Sequence, residues 1–120
     1  MPYMTMDLGK LRANYATLSS EFARRGISWG IVTKLLCGNK EYLEAVLSLG
    51  VCQVCDSRVL NLKAIKAIDP TIETVFIKPP AKKTIPNVIR YADISLNTQE
   101  STVKLLSREA MLQNKSHKVI

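Results

Sequence analysis

The side chains in this sequence that could carry out chemistry stand where an apolar, β-branched segment gives way to a loop. They are Thr33-Lys34, Asp56-Ser57-Arg58, Lys78 and Asn97-Thr98. In proteins that alternate strands with helices, ligands bind where the strands end and the following helices begin. A binding or catalytic site is therefore expected among these positions.

Lys34 is the strongest candidate, because it follows an apolar segment and is itself followed by Leu35-Leu36. A poorly hydrated pocket around a lysine favours the neutral amine, which is the form that attacks a carbonyl carbon. The residues alone leave an alternative open, in which Lys34 simply extends from a strand end into solvent.

Arg58 is a second candidate, as a ligand for the carboxylate of a substrate. A cation in the first turn of a helix opposes the helix dipole and needs a local reason to be there. An ion pair with Asp56 could be that reason, so a purely structural role for Arg58 stays open.

The segments that must position these residues repeat one pattern of strand, loop and helix. An amphipathic helix is predicted between Asp7 as its cap and Gly26 as its end. Strands are predicted at residues 27–33, 51–55, 73–77 and 93–96, and a fifth begins at 117–120. The helices between them are assigned the caps Asn39, Asp56-Ser57, Thr84 and Asn97, the last with Glu100 as a capping-box partner.

Successive strands begin roughly 20 to 24 residues apart, which is the length of one β/α unit and indicates a parallel sheet. Four units and the start of a fifth amount to about half of a (β/α)8 barrel. A doubly wound open sheet has the same local pattern, so the rhythm by itself does not decide between the two folds.

The composition is that of an ordinary globular protein of at most one domain, with 47% hydrophobic and 22% charged residues in 120. The net charge of +7 comes from basic residues spread along the chain, which argues against a nucleic-acid partner. No apolar run approaches the roughly 20 residues of a membrane span, and the first residues lack the features of a secretory signal. We expect a cytoplasmic protein with no membrane partner.

The three cysteines are an odd number and are interpreted as reduced thiols. Cys52 and Cys55 fall in a predicted strand, where an odd separation sends their side chains to opposite faces. Only Cys37 and the single histidine, His117, remain as further ligands, so no metal site is expected.

The segment Val32-Thr33-Lys34-Leu35-Leu36-Cys37-Gly38, with Met6-Asp7-Leu8-Gly9-Lys10-Leu11 and Asp56-Ser57-Arg58, resembles the alanine-racemase-like family, and within it the ornithine-racemase branch. The resemblance covers the chain from Tyr3 to Ile120. It implies that residues 1–120 are the N-terminal half of a barrel that binds pyridoxal 5'-phosphate (PLP). Lys34 would then end the first barrel strand, and residues 3–6 would form a short strand outside the barrel.

The family's chemistry is the racemisation of amino acids, in which two bases remove and return the α-proton while PLP stabilises the carbanion. The resemblance implies that Lys34 binds PLP as an internal aldimine and then acts as one base on a small amino acid, ornithine being the first candidate. Alanine racemases proper carry an aromatic residue shortly after this lysine, whereas residues 35–39 here are Leu-Leu-Cys-Gly-Asn. The phosphate cup and the second base come from other parts of such enzymes, so we expect these 120 residues alone to be inactive.

Two other functions remain open. Barrels of this type can also bind PLP without catalysis and serve in cofactor homeostasis, and an open-sheet module could bind a ligand with no cofactor. In addition, half a barrel leaves two sheet edges unpaired and an apolar face open, so we expect a homo-oligomer, at least a dimer.

Overall fold

The computed structural model describes residues 1–120, which form five parallel strands and five α-helices. The strands are β1 Ile31–Val32, β2 Gln53–Asp56, β3 Glu73–Phe76, β4 Ile94–Ser95 and β5 Lys118–Val119. The helices are α1 Leu8–Ala23, α2 Lys40–Leu47, α3 Val59–Ile68, α4 Ile85–Tyr91 and α5 Glu100–Leu112, with short 3-10 helices at Lys34–Leu36 and Lys82–Thr84. None of the helices has the length and apolar composition that crossing a membrane requires.

The five strands lie in the sheet in the order in which they occur along the chain. Each pairs in parallel with the next, from β1 beside β2 to β4 beside β5. A doubly wound sheet reverses its strand order at a switch point, whereas a (β/α)8 barrel does not. The predicted fold is confirmed: about four β/α units of a barrel, followed by a fifth strand.

Two helix starts follow the predicted capping. The Asp7 carboxylate accepts a hydrogen bond from the Lys10 amide at 3.0 Å and begins α1, and the Asn39 side chain accepts one from the Tyr42 amide at 3.2 Å and begins α2. Such caps satisfy amides that have no partner inside the helix. Gly26 and Gly50, which follow these helices, have positive φ angles of 63° and 84°, as a left-handed helix end requires.

Other details of the prediction are wrong. The strands are shorter than predicted, and of residues 27–33 only Ile31–Val32 form β1, because β2 is the sole neighbour of this strand. Residues 3–6 form no strand and are held instead by the Tyr42 hydroxyl, which donates to the Met4 carbonyl at 2.6 Å. Neither free edge of the sheet is paired with them.

Two predicted helix caps are also corrected. Asn97 does not cap α5, whose N-cap is Gln99, because the Asn97 amide donates to the Ser95 carbonyl and hydroxyl at 2.8 and 3.1 Å. Asp56 ends β2 rather than capping α3, which begins after Arg58. In both cases a side chain predicted to cap a helix is bonded at the end of a strand.

The sheet has two different faces. The outward face packs against α2 to α5 in a cluster of twelve buried residues, which are Leu43, Val54, Leu62, Ile65, Ile72, Phe76, Ile85, Val88, Ile89, Ala92, Leu106 and Ala110. The inward face carries a smaller row of Cys55, Val75 and Ile94, which the strand register places side by side. These three side chains are buried too, and in a closed barrel their face of the sheet would be the interior.

Candidate functional site

Lys34 lies at the end of the first barrel strand, as predicted, with only Thr33 between it and β1. It begins the 3-10 helix that follows β1, and its side chain is exposed. Its amine belongs to none of the salt bridges of the chain. Lys34 therefore offers a free primary amine at the carboxyl edge of the sheet.

The loop that carries Lys34 is tightly wound. The Leu36 amide donates to the Thr33 carbonyl at 2.9 Å, and the Asn39 amide donates to the Leu36 carbonyl at 2.9 Å. Cys37 and Gly38 both have positive φ angles, of 51° and 75°. A methyl group added at Gly38 would lie 3.0 Å from the Asn61 side-chain oxygen, so the loop both needs a left-handed residue here and presses against α3.

A buried carboxylate holds this loop to the neighbouring strand. Asp56 is fully buried, and its two oxygens accept hydrogen bonds from the Thr33 hydroxyl at 3.0 Å, the Arg58 amide at 2.9 Å and the Asn61 amide group at 3.1 Å. Such charge-assisted bonds are stronger than those between neutral groups. Because Thr33 precedes Lys34, the network fixes the backbone from which Lys34 extends.

The ion pair with Asp56 that was one of two explanations for Arg58 is absent. Asp56 takes the backbone amide of Arg58 instead, and the Arg58 guanidinium is exposed. The structural explanation weighed for Arg58, that it neutralises the adjacent carboxylate, therefore does not hold. Its charge remains available to an anion.

Arg58 and Lys78 line a common cleft of about 430 Å³ between the starts of α3 and α4, together with Ser57, Asn61 and Thr84. Lys34 does not line this cleft. Neither Arg58 nor Lys78 forms a salt bridge, and the same holds for the nearby Lys82 and Lys83. The carboxyl edge of the sheet is thus rich in unpaired positive charge, which favours anionic ligands.

The poorly hydrated pocket expected around Lys34 is not formed by these residues. Leu35 is 80% exposed and Val32 is 52% exposed. The reason is the position of β1 at the edge of the sheet, where a second strand is lacking on one side. Residues from a neighbour of β1 would be needed to enclose the amine.

Asn97-Thr98, the last predicted site position, lies at the end of β4. The side-chain oxygen of Asn97 is buried without a hydrogen-bond partner, while its amide is used by Ser95. The Ser95 hydroxyl also bonds His117, whose other ring nitrogen faces the Ala92 carbonyl at 3.1 Å. Burial lowers the pKa of His117, although the Ala92 carbonyl and Asp93 act in the opposite sense.

Thr33, Asp56 and Asn61 together form a supporting network that was missed in the sequence. The sequence predicts Asp56 only as a helix cap or an ion-pair partner, and Thr33 only as the residue before the lysine. One signal could have found the network: in a parallel sheet, a threonine and an aspartate that end adjacent strands lie side by side.

The chain was compared with known proteins. No protein-family model matches it. It is 33% identical over 119 residues to the ornithine racemase of Acetoanaerobium sticklandii, an alignment that covers 99% of this chain and 33% of that protein. The chain thus spans about a third of the length of the curated relative that it matches.

A solved structure has the same fold. PipY from Synechococcus elongatus PCC7942, determined without PLP, matches with a TM-score of 0.72 at 15% identity, over 88% of this chain and 51% of PipY. With the similarity to ornithine racemase, this match confirms the predicted resemblance to the N-terminal part of the alanine-racemase-like family.

Proposed function

We propose that residues 1–120 are the lysine-bearing part of a PLP-dependent amino-acid racemase, with ornithine as the first candidate substrate. The observation that carries the proposal is a free lysine amine at the end of the first barrel strand, in a chain 33% identical to an ornithine racemase. The whole activity belongs to a longer assembly than this chain, because the chain corresponds to a third of that relative.

The donor groups present fit PLP in part. Its aldehyde requires a primary amine, which Lys34 supplies, and its phosphate is an anion, which suits an edge where Arg58 and Lys78 are unpaired. When bound, the cofactor withdraws electrons from the α-carbon of an amino acid and makes its proton acidic. No cup of backbone amides for the phosphate is assigned within residues 1–120.

The residues of this chain would contribute binding, orientation and one proton transfer. Lys34 would hold the cofactor through its amine and then carry the α-proton at Nζ. Thr33 and Asp56 would keep the backbone of Lys34 in place, which preserves the reach of the amine. Arg58 would meet the substrate carboxylate as a planar, two-point donor.

Racemisation also needs a base on the opposite side of the α-carbon. Lys34 is the one base that we assign within these residues, so we expect the isolated chain to have little or no racemase activity. The same single base is compatible with the second candidate function, a PLP-binding barrel that serves cofactor homeostasis without catalysis.

The experiment that tests the cofactor site is reductive trapping. The purified chain is incubated with PLP, reduced with borohydride and mapped by peptide mass spectrometry. We expect the label to fall chiefly on Lys34, and to be lost in Lys34→Arg but kept in Lys40→Arg. Lys40 is a suitable control because it is also exposed and lies in the same stretch of chain, where it pairs with Glu44.

A label spread evenly over Lys34, Lys78, Lys82 and Lys83, and undiminished at the other sites in Lys34→Arg, would contradict a specific site. If trapping at Lys34 succeeds, exchange of the α-proton tests whether Lys34 also moves a proton. Deuterium entering L-ornithine from D2O faster with the wild-type chain and PLP than with Lys34→Arg and PLP would support proton transfer by Lys34, and equal rates would show that Lys34 moves no α-proton in this chain.

A further inference from the structure

The cleft between the starts of α3 and α4 is surrounded by polar groups that have no partner in the chain. It has a volume of about 430 Å³, and its lining includes Ser57, Arg58, Asn61 and Lys78. This volume is within the roughly 300–1,000 Å³ that is typical of small-molecule sites. Lys34 does not line the cleft, so the cleft is separate from the amine proposed to hold the cofactor.

The first turn of α3 contributes two free backbone donors. Arg58, the N-cap residue, makes no side-chain capping bond, and the amides of Asn61 and Leu62 donate to the Arg58 carbonyl at 3.0 and 3.3 Å. The amides of Val59 and Leu60 donate to no group of the chain, and both residues line the cleft. Because the start of a helix carries a partial positive charge, these two amides favour an anion.

Three side chains of the cleft add further donors. The Ser57 hydroxyl forms no hydrogen bond within the chain, and Arg58 and Lys78 belong to none of its salt bridges. No acidic residue lines the cleft. The nearby carboxylate of Asp56 is already occupied by the hydrogen bonds described above. The negative charge opposite these donors therefore has to come from a ligand.

Asn61 supplies one acceptor to the same cleft. Its side chain is buried, with 6% exposed, and its amide group donates to both oxygens of Asp56 at 3.1 Å. These bonds fix the orientation of the side chain and turn its oxygen away from Asp56. The oxygen itself accepts no hydrogen bond within the chain, and a buried polar atom without a partner costs free energy. The cleft thus combines many donors with one fixed acceptor.

The number of donors favours a phosphate over a carboxylate as the ligand. A carboxylate has one negative charge and about four positions that accept a hydrogen bond, and the N–H and O–H groups of α3, Ser57, Arg58 and Lys78 exceed that number. A phosphate group carries a charge of about −1.5 to −2 at pH 7 and has three strong acceptor oxygens. The Asn61 oxygen requires a hydroxyl in addition, which hydrogen phosphate has and sulfate lacks.

We propose that this cleft binds a phosphate group together with one hydroxyl. The phosphate oxygens accept from Arg58, Lys78 and the first amides of α3, and the hydroxyl donates to Asn61. The hydroxyl belongs either to hydrogen phosphate itself or to the alcohol part of a phosphate monoester. The site requires neither Lys34 nor PLP. Since Arg58 is shared with the proposed function, a phosphate bound here would compete with the carboxylate of an amino acid.

The experiment is a titration of the 120-residue chain, without PLP, followed by ¹H–¹⁵N correlation NMR. Inorganic phosphate, glycerol 3-phosphate and sulfate are added separately at pH 7 and equal ionic strength. We expect phosphate to move the amide protons of Val59 and Leu60 downfield until the site is saturated. Sulfate should bind about 2- to 10-fold more weakly, which is the effect of one hydrogen bond. The phosphate compound that binds more tightly identifies the source of the hydroxyl.

Two lysine variants separate the cleft from a general attraction to positive charge. Lys78→Gln should weaken phosphate binding by about 5- to 10-fold, because it removes a charged donor. Lys82→Gln is the matched control, since Lys82 is also exposed and unpaired, in the 3-10 helix that precedes α4, but does not line the cleft. This variant should bind phosphate as the wild type does.

Three results would overturn the proposal. Resonances of Val59 and Leu60 that do not move with either phosphate compound would show that the cleft holds no phosphate. Equal affinities for phosphate and sulfate would show that Asn61 takes no hydroxyl, and an equal loss in Lys78→Gln and Lys82→Gln would indicate diffuse attraction only. Because PLP is absent throughout, a failure here is distinct from a failure of lysine trapping.

Discussion

The hydroxyl of Thr33 donates a 3.0 Å hydrogen bond to the buried carboxylate of Asp56, so the residue before Lys34 is tied to the end of the neighbouring strand. The same carboxylate holds the Arg58 amide and the Asn61 side chain. One acidic group therefore joins the two loops that carry the candidate site residues Lys34 and Arg58. It connects the stability of the fold to the geometry of the site.

Replacement of this carboxylate should be costly. Asp56→Ala leaves the donors from Thr33, Arg58 and Asn61 without a partner in a buried place, and we expect it to lower the free energy of unfolding by about 1–3 kcal/mol. Thr33→Val replaces the hydroxyl by a methyl group of similar size, and it should lower the free energy of unfolding by less, about 1 kcal/mol. Urea unfolding of the three proteins measures this, and equal midpoints would show that the network does not stabilise the chain.

A substitution at Gly30, the residue before β1, tests how closely the chain approaches β2 at this point. A methyl group at this position would lie 2.7 Å from the Gln53 side-chain oxygen and 3.2 Å from the Cys55 sulfur. We expect Gly30→Ala to destabilise the chain by about 1 kcal/mol, because the end of the Gln53 side chain must shift and its hydrogen bond to Glu73 is disturbed.

Gly9→Ala is the matched control for Gly30→Ala. Gly9 lies in the first turn of α1, where a methyl group would come no closer than 3.4 Å to the Asp7 carboxylate. Alanine favours a helix by up to about 1 kcal/mol over glycine, so this variant should be equal to or more stable than the wild type. Thermal unfolding that ranked the two variants in the opposite order would contradict the assigned packing at Gly30.

His117, the single histidine, should make stability depend on pH just below neutrality. Burial lowers its pKa in the folded chain, so the unfolded chain binds the proton more readily. Stability is then fully present above the ordinary pKa of about 6.5 and falls as the pH drops through that value. The Ala92 carbonyl only accepts, so Nδ1 carries the proton and Nε2 accepts from Ser95, an arrangement that protonation of Nε2 disrupts.

Urea unfolding between about pH 7.5 and pH 5.5 measures this effect in the wild type and in His117→Gln. The variant should show a flatter dependence over this range. The carboxylates Glu73 and Asp93 have lowered pKa values in the folded chain, so their contributions are lost only at more acidic pH. An equally steep dependence in His117→Gln would show that another group is responsible.

The sequence was enough to predict the units of the fold and the place of Lys34, because periodicity and capping are local properties. Asp7 and Asn39 cap the helices as predicted. The order of the strands in the sheet could not be predicted from the alternation of strands and helices, since a barrel and an open sheet have the same alternation. The prediction that Asn97 caps α5 was wrong, because the Asn97 side chain donates a hydrogen bond to Ser95 instead. Which of the two bonds forms depends on how β4 ends.

The environment of the candidate site was harder to predict than its position. Leu35 was expected to shelter the Lys34 amine and is exposed instead, since hydrophobicity in a sequence does not reveal whether a strand lies at an edge. Asp56 was noted for its charge, but its actual role depends on Thr33, 23 positions earlier in the chain.

The strand order also bears on how the chain folds. Residues that lie opposite each other on neighbouring strands are only 19 to 24 positions apart in the sequence. The two limits are Val75 beside Ile94 and Ile94 beside Lys118. A parallel sheet usually forms slowly, because distant segments must meet before any pairing is gained. Here each strand finds its template in the unit made just before it, so a chain emerging from the ribosome can add one strand at a time to a sheet that is already folded.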